Sequence, residues 1–310
     1  MKIDEFGERI LKPSVANIAN RMDADLAALA QSFWSNVGTP GTTPGALLTY
    51  LLAGVALDNN AAPQDNERHL ILTPTAQAYI VDALKGLFQQ STAIAEQYVE
   101  GKMGRASGFN WYMDQNLPAQ TIGPQGGTPV VSGAGQSGNS ITVSGFTAAA
   151  ANRMKKGDRF TIASVYMVNA QSRNSIGVLQ AFVATQDVDS DGAGAATIYF
   201  DPPLTASGQY QTVDSLPANG AAISITGAAN TVSPTCLAFH RDAVTIVCAD
   251  LPLPRNVDMS GRLSDSQLGL SICFVRAYDV WSGQLISRMD VLYGVAQLRG
   301  ELGSVIYSGS

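Results

Sequence analysis

Apolar and polar positions change their rhythm twice along the chain, near residue 120 and again near residue 232. In the first zone, residues 1 to about 118, the rhythm is mostly helical. Val15, Ile18, Met22, Leu26, Leu29 and Phe33 recur at spacings of three and four, which draws one apolar stripe along a long helix. Asn17, Asp23, Asp25 and Gln31 fall off that stripe, Pro13 suits a first helical turn, and Ser14 follows it. The loop VGTPGTTPG ends the helix. Ala46 to Leu57 reads as a second, largely apolar helix, and His69 to Leu72 as a short buried strand. Thr73-Pro74-Thr75 opens a helix expected to run to about Phe88. Ala95 to Glu100 and the segment GRASGFNWYMDQNLP suggest a short helix, a turn and a strand ending at Asn116-Leu117-Pro118.

Between about 120 and 232 Gly, Ser and Thr become dense and β-branched residues alternate with polar ones. That period of two predicts strands at 128–132, 140–145, 158–168, 177–185, 195–200 and 221–226, separated by the turn clusters GAGQSGN, NAQSRNS and SDGAG. Several short strands without a helix suggest a small β-barrel or sandwich. The third zone, 233–310, is mixed. CLAFHRDAVTIVCADL predicts a short helix or strand and then a β-rich run, LGLSICFVRAYDV a strand, and QLISRMDVLYGVAQLRGELGSVI a strand pair closing a sheet. The central β zone then reads as an insertion into one discontinuous domain.

Composition adds one observation to this outline. Charged residues make up 14% of the 310, against roughly 25% in a typical soluble domain. A surface largely covered by other subunits is one explanation for so few ionised groups; an Ala- and Gly-rich monomer is the other. The formal net charge is −6, and the densest basic spot is Lys155-Lys156. Nucleic-acid groove binding needs a basic stripe and is therefore disfavoured, whereas mild repulsion from packaged nucleic acid is compatible with this charge. Cys236, Cys248 and Cys273 lack C-x-x-C spacing and sit in or beside apolar runs, so they read as buried free thiols of a reducing compartment. The start MKIDEFGERI has charges where a signal peptide needs an apolar core. The run ALLTYLLAGVAL is too short to span a bilayer. A soluble protein made in the cytoplasm is expected.

Two motifs invite a catalytic or ligand-binding reading and fail it. GAGQSG, 133–138, has the spacing of a dinucleotide fingerprint, with Asp158 near the distance of a ribose carboxylate. The fingerprint requires a helix to open at its third glycine; here NSITVSGF follows, which is strand material, so a hairpin turn is expected. DVDSDG, 187–192, places Asp187, Asp189, Asp191 and Gly192 like the opening of a calcium loop. The twelfth position should be a bidentate Glu but is Ile198, and the flanks are strands. The two histidines, His69 and His240, stand apart from any G-x-S-x-G or H-E-x-x-H pattern. Asp23 and Asp25, two residues apart on a helix, diverge. Neither an enzyme nor a cofactor or metal site is expected.

Four stretches together carry a family resemblance over nearly the whole chain: ANIANRMDADLAAL with VGTPGTTP; IAEQYVEGKMGRASGFNWYMDQNLP; KKGDRFTIASVYMVNAQSRNSIGVLQAFV with SDGAG and DPPL; and LAFHRDAVTIVCADLPLPRNVDMSGRLSDSQLGLSICFVRAYDV with DVLYG. In this order they resemble the coat (major capsid) proteins of the P22-like tailed bacteriophages. The resemblance implies an α+β, HK97-like capsid fold with an inserted all-β antiparallel barrel. Residues 1–40 would hold the spine helix of the peripheral domain, at 12–35. Residues 41–119 would form the axial-type domain, 120–232 the inserted barrel, and 233–310 the return to the discontinuous core.

The resemblance further implies self-assembly into pentamers and hexamers of an icosahedral shell around double-stranded DNA. A scaffolding protein would assist assembly, a portal would sit at one vertex, and the product would be a virion built in the host cytoplasm. Members usually carry an N-terminal arm and an extended β-hairpin before the spine helix, whereas this chain begins almost at that helix, which puts clasping by those parts in doubt. Arg173 and Asn174, in the loop NAQSRNS at 169–175, are the candidate inter-subunit contacts; a solvated hairpin tip is the other reading of that loop. A receptor- or carbohydrate-binding protein using the central β domain is the alternative function. An enzyme-enclosing shell of the same fold is a near relative against which the inserted barrel argues.

Overall fold

The computed structural model describes residues 12–84, 104–265 and 269–309. They form a mixed α+β chain, mostly strands with few helices. The chain divides into two compact units, one made of residues 1–29 and 244–298, the other of 30–243 and 299–310.

In the larger unit, one seven-stranded mixed sheet is assembled from distant pieces. Its order is Ser35–Val37, Gly303–Tyr307, Val232–His240, Arg68–Leu72, Phe109–Met113 and Arg105–Ala106, with Ala119–Thr121 also paired to Val232–His240. Ser35–Val37 runs parallel to Gly303–Tyr307, and Arg68–Leu72 parallel to Phe109–Met113; Val232–His240 is antiparallel to its partners. Helix α1 spans Lys12–Ala28 and belongs to the smaller unit, whereas α2, Leu47–Asn59, and α3, Pro74–Leu84, belong to the larger. Helix α2 turns Tyr50, Ala53 and Leu57 inward, three and four residues apart. The Tyr50 ring lies 5.5 Å from Trp111 and its hydroxyl donates to Pro44 O at 3.1 Å.

The chain leaves this sheet at Thr121 and returns at Val232, its direct antiparallel partner. Ile122 N also bonds Thr231 O at 3.0 Å. Between those points lies a second, six-stranded sheet in the order Ile223–Ile225, Arg159–Val168, Ser175–Ala184, Ala196–Leu204, Gly138–Phe146, Gly127–Val131. Its two edges are bridged at Val130 and Ala222, with Val131 N bonded to Ala221 O at 2.9 Å and Gly220 N to Val131 O at 2.8 Å. The inward alternation of these strands builds a core in which Phe160, Phe182 and Phe200 meet at centroid distances of 5.1–5.7 Å. A small pair, Ala150–Met154 with Val188–Ser190, adds Met154 and Val188 to it.

The smaller unit contains α1, the antiparallel pair Val244–Ala249 and Leu292–Gln297, and a three-stranded antiparallel sheet of Met259–Asp265, Leu270–Asp279 and Gln284–Asp290. Tyr293 OH donates to Asp25 Oδ2 at 2.6 Å, fixing the helix against the pair, and Ser271 N donates to Cys248 Sγ at 3.3 Å between pair and sheet.

Several expectations need correction. The first helix ends at Ala28 rather than 35: Leu29–Ser32 is a 3₁₀ turn, with Phe33 N bonded to Ala30 O at 3.1 Å, and Ser35–Val37 is a strand. A stripe spaced three and four passes through a 3₁₀ turn unbroken, so periodicity does not register the change. In the first zone the expected strands are found at Arg68–Leu72 and Phe109–Met113, and two short segments that were not expected as strands, Ser35–Val37 and Arg105–Ala106, also join the main sheet. QLISRMDVLYGVAQLRGELGSVI does not form a strand pair; it supplies three strands to three separate sheets. Met259–Asp265, Ala150–Met154 and Val188–Ser190 are strands that alternation missed. Cys236 and Cys273 are buried as expected, but Cys248 is only half-buried. The expected helix at 95–100, and the expected run of the third helix from Lys85 to about Phe88, lie outside the described residues.

Candidate functional site

The nucleotide-like motif is a turn, the calcium-like one a short strand, Val188–Ser190, running into a turn, and the polar groups of both are already occupied. GAGQSG joins Gly127–Val131 to Gly138–Phe146, and strand, not helix, follows it. Gly133, Gly135 and Gly138 all have positive φ, the conformation glycine reaches without strain. Gln136 staples the turn: its Oε1 accepts Thr142 N at 2.7 Å and its Nε2 donates to Ser132 O at 2.8 Å. In DVDSDG, Asp187 accepts Lys156 N at 2.8 Å and Asp189 accepts Asn152 N at 2.7 Å. Asp191 accepts Ala193 N and Ala195 N, both at 2.8 Å, and these bonds hold its carboxyl below the usual range. The three carboxylates serve three separate backbone stretches and do not converge. Among the described residues no group of three or more His, Cys, Asp or Glu could hold a metal ion.

Asp158, which follows GAGQSG near the distance of a ribose carboxylate, is buried, with 1% of its surface exposed. Its Oδ2 accepts Gly123 N and Lys155 N at 2.9 Å each, and its Oδ1 accepts Gln120 Nε2 at 2.8 Å. Burial pushes the carboxyl up, against the opposing pull of these bonds and of the Arg159 charge. Arg159 is equally buried. Its guanidinium donates to Phe33 O at 2.9 Å, Gly157 O at 3.1 Å, Ala30 O at 3.3 Å and Tyr307 Oη at 3.3 Å. These two residues bolt the start of a strand in the six-stranded sheet to the base of the seven-stranded one. The sequence signal was a Gly-Asp-Arg run opening an otherwise apolar strand, where a solvated turn is the ordinary expectation.

Chemistry that reaches outward lies elsewhere. Helix α2 has a second apolar stripe, Leu48, Leu51, Leu52 and Val55, facing water; Leu48 is 63% exposed. The spacing of three, one and three puts these four side chains on one face. This stripe was missed because α2 is apolar on both sides, and periodicity cannot tell a covered face from an open one. Arg173 and Asn174 sit together in the exposed 169–175 loop between Arg159–Val168 and Ser175–Ala184. The loop is shaped by its own backbone: Asn169 Oδ1 accepts Gln171 N at 2.8 Å and Ser172 N at 3.0 Å, Arg173 N bonds Asn169 O at 2.8 Å, and Arg173 has φ +56°. Both residues are thus displayed at the surface, and the hydrogen bonds that shape the loop run through its backbone and the Asn169 side chain.

Nothing among curated proteins matches the chain. Among solved structures, a chain from Mycobacterium phage Che8 aligns over 98% of this chain with TM-score 0.42 and 10% identity. This chain spans 66% of the length of that one. The CUS-3 coat protein I-domain aligns over 33% of this chain and 97% of its own length, with 22% identity and TM-score 0.24. The family model described as P22 coat protein, gene protein 5, matches residues 2–307. A match over that span leaves one conclusion: the chain belongs to the P22 coat protein family.

Proposed function

We propose that the chain is the major coat protein of a tailed bacteriophage, assembling as pentamers and hexamers into an icosahedral shell around double-stranded DNA. The observation that carries this reading is the outer stripe of α2. Four large aliphatic side chains held on one rigid helix face form a surface that gains by being covered, at about 25 cal/mol per Å² of apolar area removed from water. In a coat, identical copies cover it, and modest contacts repeated by symmetry add up to a stable closed assembly. A net charge of −6 suits an inner surface that must not adhere to packaged DNA.

In this reading the fold is HK97-like. Residues 1–40 carry the spine helix of a peripheral domain, 41–119 and 233–310 the axial and returning core, and 120–232 an inserted barrel. The adjacency of Thr121 and Val232 and the bridged edges of the six-stranded sheet support the insertion. Arg173 and Asn174 contact a neighbouring subunit, a scaffolding protein and a portal act during assembly, and the product is a virion capsid assembled in the host cytoplasm.

The test is size-exclusion chromatography with negative-stain microscopy of the wild type and of Leu48→Glu/Leu52→Glu. Capsomers, sheets or shells for the wild type, and subunits of unchanged circular dichroism for the variant, are expected. A wild type that stays monomeric at high concentration and binds glycans would replace this reading by a receptor- or carbohydrate-binding one.

A further inference from the structure

Within the smaller unit, the three-stranded sheet ends in a hairpin whose tip is Val280–Gly283. The tip is rigid. Asp279 Oδ1 accepts Trp281 N at 3.1 Å, Asp279 Oδ2 accepts Ser282 Oγ at 2.6 Å, and Gly283 N bonds Asp279 O at 2.9 Å with Gly283 at φ +65°. What this scaffold presents is apolar: Trp281 is 99% exposed and Val280 81%. A turn ordered by its own hydrogen bonds spares binding the cost of ordering that backbone. Tryptophan is also among the residues that most often anchor interfaces.

The same unit carries a concave partner for it. Val15 and Ala19 of α1 and Leu263, Ile272, Phe274 and Met289 of the sheet line an open groove of about 660 Å³. Its walls are almost wholly apolar, and Met289 supplies an adaptable thioether of the kind that packs well against aromatic rings. The knob does not fill the groove of its own chain. Trp281 is 99% exposed, and Met259, which also lines the groove, stands opposite Arg276, five residues before the indole. The tip thus projects past the end of the strand Met259–Asp265.

We infer that Trp281 of one copy seats in the groove between α1 and the three-stranded sheet of a second copy. The inference rests on the coat-protein reading above and names one of its contacts. A knob and a groove at different places on one subunit make a heterologous contact, which closes into rings or continues across a lattice. One buried indole removes about 150–250 Å² per side chain from water, well under the roughly 1,200 Å² of a stable pairwise interface. It therefore acts as an anchor within a larger contact and favours cooperative assembly over isolated dimers.

The experiment compares wild type, Trp281→Ser and the paired variant Trp281→Cys/Ala19→Cys. Trp281→Ser should melt as the wild type does, because the side chain touches solvent alone. Its concentration threshold for assembly should rise about ten-fold or more, equivalent to about 1.4 kcal/mol per contact. Under mild oxidation the paired variant should give disulfide-linked dimers and higher ladders, with neither single variant doing so. Normal assembly of Trp281→Ser beside an assembling wild type overturns the inference and leaves the coat reading standing. Cross-linking confined within one chain also overturns it. A wild type that never associates overturns both.

Discussion

Arg159 offers the sharpest quantitative test of the fold. Its side chain is 1% exposed and meets no carboxylate in its hydrogen bonding; backbone carbonyls and one phenol satisfy it. Replacing it by Met keeps the length and apolar stem and removes the donors. Ala30 O retains Phe33 N at 3.1 Å as a donor, so the principal losses fall on Phe33 O, which receives Nε at 3.2 Å and Nη2 at 2.9 Å, and on Gly157 O, at 3.1 Å. A buried acceptor stripped of its donor costs about 1–3 kcal/mol. Two of them give a loss of about 4 kcal/mol at mid-range. Relief from burying a charge offsets part of this, while the loss of the Tyr307 hydroxyl bond and the ring face, 5.9 Å from the guanidinium carbon, acts in the opposite direction. For a unit of this size that corresponds to a fall in Tm of roughly 8–16 °C.

Thermal melts followed by near-ultraviolet circular dichroism read the change directly. Arg159→Lys, which keeps the charge but not the planar fork, should lose about half as much. Exposed Lys156→Met should stay within about 0.5 kcal/mol of the wild type. An Arg159→Met protein that melts with the wild type would refute the reasoning, since the desolvation of the guanidinium would then cancel everything its hydrogen bonds contribute.

Three further outcomes are expected. A Cβ at Gly303 would stand 2.4 Å from Phe33 ring atoms, so Gly303→Ala should cost about 1–3 kcal/mol by overpacking, and Phe33→Leu in the same chain should recover part of it in a urea titration. Burial, opposed by the Glu67 carboxylate and reinforced by His240 and Arg241, holds His69 below its ordinary value of 6.5. The unfolded chain therefore takes up a proton before the folded one as pH falls. Stability contributed by neutral His69 is complete above 6.5 and is lost as pH drops through the lower folded value. Urea midpoints measured across that window should fall for the wild type and flatten for His69→Gln. Arg173→Ala/Asn174→Ala should leave the melt unchanged and lower shell yield; equal yields would return the 169–175 loop to a solvated tip.

How far the chain could be read without coordinates differs from zone to zone, for a physical reason. Between 120 and 232 each predicted strand is found within a few residues of its place, since alternation along an exposed-and-buried strand is written into neighbouring residues. The GAGQSG turn was equally legible, because a glycine-rich hexapeptide between two alternating runs has few other solutions. Helix α2 was legible as a helix, but its exposed Leu48–Val55 face was not, because apolar residues on both sides conceal which side is covered. The burial of Asp158 and Arg159, at the start of the strand expected over 158–168, was not legible. Their burial comes from Gln120, Gly123, Phe33 and Tyr307, none of which is near them in the chain.

Local rhythm thus determined most kinds of element and the change of character at both ends of the β zone, while four stretches carried the resemblance to the family. Tertiary structure alone decided which strands are neighbours: Ser35 stands opposite Ser304, and Thr121 opposite Val232. Those pairings set which carbonyls need a buried guanidinium and which apolar faces stay open to another copy. Side-chain direction repeats every two or 3.6 residues and is a property of the segment. Burial is a sum over groups brought together from the whole chain, and no window of sequence contains it.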